Sequence, residues 1–157
     1  MKKQRSVYIY DESNDSILLR NSLIQLVRSS RFEEFDYFLI NKWAGIENES
    51  SFEELNDEEI MPLRKRAYRN FNKAIKGKKV ANCRTIRKWF GIDGFAIPKR
   101  EALFRLAFAL GLTTVETSDY LVNGMLAPSF QINDYIELIY MYGLDNSLTY
   151  EDCTRMI

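Results

Sequence analysis

The 157 residues contain no histidine. Ser-His and Cys-His nucleophilic pairs are therefore excluded for the chain alone. Only two cysteines occur, Cys83 and Cys153, and they lack C-x-x-C spacing. A zinc ion, which takes mainly nitrogen and sulfur ligands, has almost nothing to bind here. The two thiols read as inert, partly buried groups of a reduced, cytoplasmic protein. No apolar run approaches the length of a membrane span. Val7 to Tyr10 is too short for the core of a signal peptide. The acidic run has no calcium-loop pattern, and Gly91-Ile-Asp-Gly94 lacks the spacing and preceding strand of a phosphate loop. No repeat or low-complexity tract is present. Nothing in the spacing selects a carboxylate pair for acid–base work. The expectation is a non-enzyme with no cofactor, no metal and no small-molecule ligand.

Prolines number only three, so helices meet few breakers. Hydrophobic residues make up 46% of the chain, enough for a real core without disulfide or metal support. The pattern is helical nearly throughout, and the expected fold is an all-α bundle with one short N-terminal strand at Ser6–Tyr10. Residues 1–60 read as an antiparallel helical pair followed by an acidic linker. Ser16 caps the first helix, Phe32 to Trp43 forms the second, and Ser51 with Glu54 suits a capping box. Residues 61–127 read as a central core. A helix over Pro62–Ile75 turns Leu63, Ala67, Phe71 and Ala74 inward. Asn82 then caps a short helix through Phe90, with Cys83, Ile86, Trp89 and Phe90 inward and Arg84, Thr85, Arg87 and Lys88 outward. Lys99 to Leu110 is apolar nearly all round and is the expected central helix. Thr113 and Glu116 cap the next helix, which Asn123-Gly124 ends. Residues 128–157 form a helical extension: one helix from Asn133 or Asp134 to Gly143, and one capped by Thr149 and Asp152. The chain stops at Met156-Ile157, which leaves open a fragment of a longer protein or a natural short tail.

The net charge of zero hides a segregation. Residues 61–100 hold thirteen Lys/Arg against Asp93 alone, or +12, whereas residues 1–60 and 101–157 each carry −6. A basic centre between acidic flanks fits a polyanion partner or an oppositely charged protein surface. The tyrosines 135, 140, 142 and 150 lie in an acidic segment and read as core and rim aromatics rather than as stacking platforms.

The block Arg84-Thr-Ile-Arg-Lys-Trp-Phe-Gly91, then Pro98-Lys-Arg-Glu-Ala-Leu-Phe-Arg-Leu-Ala-Phe-Ala-Leu-Gly-Leu112, then Thr113-Thr-Val-Glu-Thr117, resembles the second half of the Cro/repressor-type (Xre-like) helix-turn-helix family. The resemblance covers about residues 84–124. It implies that the helix over 82–90 is a recognition helix, with Arg84, Thr85, Arg87 and Lys88 facing duplex DNA and Ile86 and Trp89 anchoring it. Lys73, Lys76, Lys78 and Lys79 would then hold phosphates. Two departures stand out. Residues 77–82 leave little room for a positioning helix, so the helix over 62–75 must take that role or the motif is degenerate. The turn Ile92–Ile97 is also longer and more apolar than usual. The expected function is DNA-binding transcription regulation of a bacterial or phage type, with a homodimer compatible with paired half-sites. The alternative is an interaction module that docks an acidic protein partner.

Overall fold

The structure, a computed structural model, describes residues 14–29, 35–45 and 55–157. All regular structure among them is helical, as the apolar periodicity leads one to expect. The strand expected at Ser6–Tyr10, the Ser51–Glu54 capping box, Phe32 and most of the acidic linker lie outside the described residues. No helix among the described residues is long and apolar enough to cross a membrane.

The chain divides into two compact units, Met1–Arg31 and Phe32–Ile157. The division falls inside the segment 1–60. The first unit contains α1, Asn14–Ser29, with Asp15 in its first turn, where the helix dipole favours an acid. Ser16 therefore lies inside α1 rather than capping it.

In the second unit, α2 (Phe35–Trp43) buries Phe35, Tyr37, Leu39 and Ile40. Beside it runs α3, Asp57–Ala74, which begins five residues before the expected Pro62. Its true start is local chemistry: Asn56 accepts from the Glu59 amide at 2.9 Å, and the Asn56 amide donates back to Glu59 at 3.0 Å. The acids Asp57, Glu58 and Glu59 thus serve the positive end of the helix. The inward face is Ile60, Arg64, Ala67 and Phe71, so Arg64 is buried while Ala74 is exposed. Phe71 meets Trp43 edge-on at 5.5 Å, and Asn70 donates to the Trp43 carbonyl at 2.7 Å.

Next come α4 (Cys83–Trp89) and α5 (Arg100–Leu110). The central position of α5 follows from its sequence: Leu103, Phe104, Leu106 and Ala107 are all buried. Each large apolar side chain so buried contributes about 1.5–3 kcal/mol. The helix ends at Gly111. Thr113 and Glu116 form the expected capping box of α6, Thr114–Asp119. Here α6 continues into a π-helical turn, Tyr120–Gly124, instead of stopping cleanly. Gly124 ends that turn close against α2: a Cβ there would lie 2.9 Å from the Phe38 ring and 3.2 Å from the Phe35 ring. Tyr120 meets Phe38 edge-on at 5.0 Å and accepts from the Trp43 indole at 3.0 Å.

The extension consists of α7 (Tyr135–Asp145), which runs past Gly143, and α8 (Tyr150–Thr154), capped by Thr149 and Asp152 as expected. Arg100 at the start of α5 clamps this extension. It grips both oxygens of Glu137 at 2.6 and 2.8 Å and donates to the carbonyls of Pro128 and Ser129. The Arg100 hydrogen bond holds the Glu137 carboxyl below the usual carboxylate range. Tyr140 packs on Phe104 at 5.0 Å and on Tyr150 at 5.7 Å, so these two tyrosines are core residues.

Candidate nucleic-acid interface

The surface in question is built on α4. Asn82 accepts from the Thr85 amide at 2.8 Å, so seven residues suffice to start a helix that isolated peptides of this length do not hold. Ile86 and Trp89 are buried, and Phe90 just beyond is fully buried against Tyr68 and Phe71 of α3. These contacts anchor α4 and leave Arg84 exposed, with Thr85, Arg87 and Lys88 half-buried. Cys83, expected to point inward, is exposed. It occupies the first helical position, ahead of the buried Ile86–Trp89 stripe. Cys153 is the buried thiol, and burial pushes its pKa up.

The four α4 candidates differ in freedom. Among the described residues, the Arg84 side chain makes no hydrogen bond or ion pair. Arg87 is tied: it contacts the Asp93 carboxylate at 2.8 and 2.9 Å and lies over the Tyr68 ring at 5.6 Å. The Asp93 hydrogen bond raises the Arg87 pKa further. Lys88 lays its methylenes against Gly94, 3.6 Å from where a Cβ would stand. Thr85 lends only its amide to the cap.

The lysines outside α4 separate into two groups. Lys73 in the last turn of α3 and Lys76 in the turn just after it are exposed and make no ion pair among the described residues. Tyr68 links that helix to Arg87. Lys78 instead donates to the Ala109 carbonyl at 3.2 Å, satisfying the C-terminal end of α5. Lys78 and Lys79 line a groove of about 560 Å³ together with Arg105, Leu148, Tyr150 and Glu151. The structure thus gathers Arg87, Lys88, Tyr68 and Asp93 into one neighbourhood and gives Lys78 and Lys79 another.

Behind α4 lies a buried ion pair that the sequence does not announce. Arg64 of α3 bonds to Asp36 of α2 and to the Phe90 carbonyl at 3.0 Å, with both side chains at most 5% exposed. Its guanidinium lies over the rings of Tyr37 and Phe95. Gly91 is required beside it, since a Cβ there would sit 2.0 Å from a guanidinium nitrogen. The loop that follows exposes Phe95 by 70% and Ile97 by 60%. The apolar content of the turn 92–97 is the signal for these two. Tyr68 has no sequence signal beyond its aromatic character.

The segment 75–82 between α3 and α4 is longer than the turn of about three to four residues in a compact helix-turn-helix. No group of His, Cys, Asp and Glu among the described residues is arranged to hold a metal. No family model matches the chain, and neither a curated protein nor a solved structure matches it.

Proposed function

We propose that this protein is a repressor-like, non-enzymatic regulator that binds duplex DNA through the outer face of α4. The supporting observation is Arg84. It stands exposed on a capped, well-anchored helix beside Thr85 and Lys88, with no acid paired to it among the described residues. A short helix of this kind fits the major groove, where arginine reads guanine edges and threonine contacts either base type. Lys73 on α3 and Lys76 in the turn after it add phosphate contacts. Lys79 contributes charge, and Lys78 contributes less because it is engaged at α5. Asp93 does not oppose this role, because Arg87 neutralises it. A homodimer on paired half-sites fits the reading.

A second reading has its own observation. Val115, Val122 and Ile132 are exposed and line an apolar groove on α6 and the linker after it. Such a groove suits a protein partner, and a degenerate helix-turn-helix serving as an interaction module fits it.

The test is fluorescence anisotropy of labelled random-sequence duplex at two salt concentrations. The control is the double variant Arg84→Glu/Lys88→Glu. Arg87 is left intact, because a glutamate there would face Asp93 and deform the loop. Binding that weakens steeply with salt and disappears in the control supports the DNA reading. Absence of binding at low salt removes it in favour of the interaction module.

A further inference from the structure

The loop 91–97 is built to hold two apolar side chains out in solvent. Three residues take left-handed backbone angles, Gly91 (φ 74), Asp93 (φ 61) and Gly94 (φ 122). The turn is closed by bonds from the Ile92 amide to the Arg87 carbonyl at 2.9 Å and from the Ala96 amide to the Lys88 carbonyl at 3.1 Å. The Arg87–Asp93 pair ties its middle to α4. Ile92 and Pro98 are buried at either end. Between them Phe95 and Ile97 are both exposed, with the half-buried Ala96 separating them. One face of the Phe95 ring rests over the Arg64 guanidinium, which the buried pair with Asp36 fixes. Both rings of constraint act against simple collapse of these side chains onto the core.

We propose that Phe95, supported by Ile97, is a wedge that enters DNA at a base step beside α4 and unstacks it. This rests on the DNA reading above. Two observations favour DNA over a protein as the occupant. The apolar tip is only two side chains wide, whereas a stable protein interface buries on the order of 1,600 Å². An inserted wedge needs one or two residues. The loop is also held on Lys88, whose carbonyl accepts from the Ala96 amide and whose methylenes lie against Gly94, and it runs into the exposed Lys99; both ammonium groups suit phosphates beside an opened step. With its supported ring, Phe95 stacks on an exposed base without first paying for its own ordering. The consequence is bent DNA, and a preference for flexible pyrimidine–purine steps that no hydrogen bond reads.

The experiment uses the full chain and a duplex with 2-aminopurine at its TA steps, labelled also for anisotropy. Binding and unstacking are thereby read separately. The wild type should bind and raise 2-aminopurine fluorescence. Phe95→Ala should bind about tenfold more weakly, keep the same salt dependence, and leave the fluorescence unchanged. Thermal melting of the variant should match the wild type, since the ring is mostly exposed. If Phe95→Ala abolishes binding, Phe95→Trp decides: stacking restores both binding and the 2-aminopurine signal, and failure to restore the signal overturns the wedge. Wild-type binding with silent 2-aminopurine, or an undiminished signal in Phe95→Ala, overturns the wedge and leaves the DNA reading standing. No wild-type binding at low salt overturns both and assigns the tip to a protein partner.

Discussion

Asp36→Ala is the most informative stability perturbation. It leaves the Arg64 guanidinium inside the protein with, among the described residues, only the Phe90 carbonyl as a hydrogen-bond partner. Both side chains are at most 5% exposed, so solvent screening offers little relief. Breaking a buried pair from one side costs about 3–5 kcal/mol. Arg64→Met alone strands Asp36 in the same way. Removing both charges removes the stranded group. Asp36→Ala/Arg64→Met should therefore recover a large part of the loss, with a coupling energy of about 2 kcal/mol in the double-mutant cycle. Urea denaturation followed by circular dichroism gives the midpoints, and constant slopes make them comparable. The reasoning is refuted if the two single losses add within about 0.5 kcal/mol. The same variants should loosen the Phe95 loop, whose ring rests on Arg64.

Three further outcomes are expected. Gly124→Ala should destabilise by about 1–3 kcal/mol, because its methyl meets the Phe35 and Phe38 rings; an unchanged melting midpoint would show that α2 can yield. A thiol reagent should modify Cys83 rapidly and Cys153 only on unfolding, so two equally fast thiols in the native protein would contradict the packing of Cys153. Glu137 has its folded pKa below the unfolded value of about 4.3. Its contribution is therefore complete above that pH and is lost as pH falls through the folded value. Glu137→Gln should consequently flatten the acid side of the stability curve, and urea midpoints that fall as steeply with acid in the variant would rule the clamp out as its source.

Features whose causes are local were legible in the sequence. Thr113 and Glu116, Thr149 and Asp152, and Asn82 each cap a helix within three residues of themselves, and each was readable as such. The apolar periodicity of 100–110 gave the central helix for the same reason. The start of α3 was misplaced because its acids read equally well as a solvated linker; only the Asn56–Glu59 reciprocity distinguishes the two. Arg64 stands next to Lys65 and Arg66, and its partner lies 28 residues earlier, so neither composition nor spacing marks it as buried. The close approach of Gly124 to the Phe35 and Phe38 rings is likewise a tertiary contact that no local pattern near it reveals. Within the candidate interface, the sequence pattern turns Ile86, Trp89 and Phe90 inward and Arg84 outward, but it misplaces Cys83, which is exposed. It did not set which residues are already engaged, because Asp93, Gly94 and the Ala109 carbonyl act through tertiary contact.

The buried and clamped arginines leave a mark on the face that remains. Arg64 serves the core, Arg87 holds Asp93 and Arg100 binds the extension. The larger share of the outer charge of residues 61–100 is then carried by lysine: Lys65, Lys73, Lys76, Lys78, Lys79, Lys88 and Lys99 are all at least partly exposed, beside the exposed Arg66, Arg69 and Arg84. An ammonium group is a point charge without the planar fork that matches a base edge. Under the DNA reading proposed above, such a face would respond to the amount of negative charge beside it more than to the order of the bases. Base discrimination on α4 would then fall to Arg84, its one arginine free of an ion pair among the described residues.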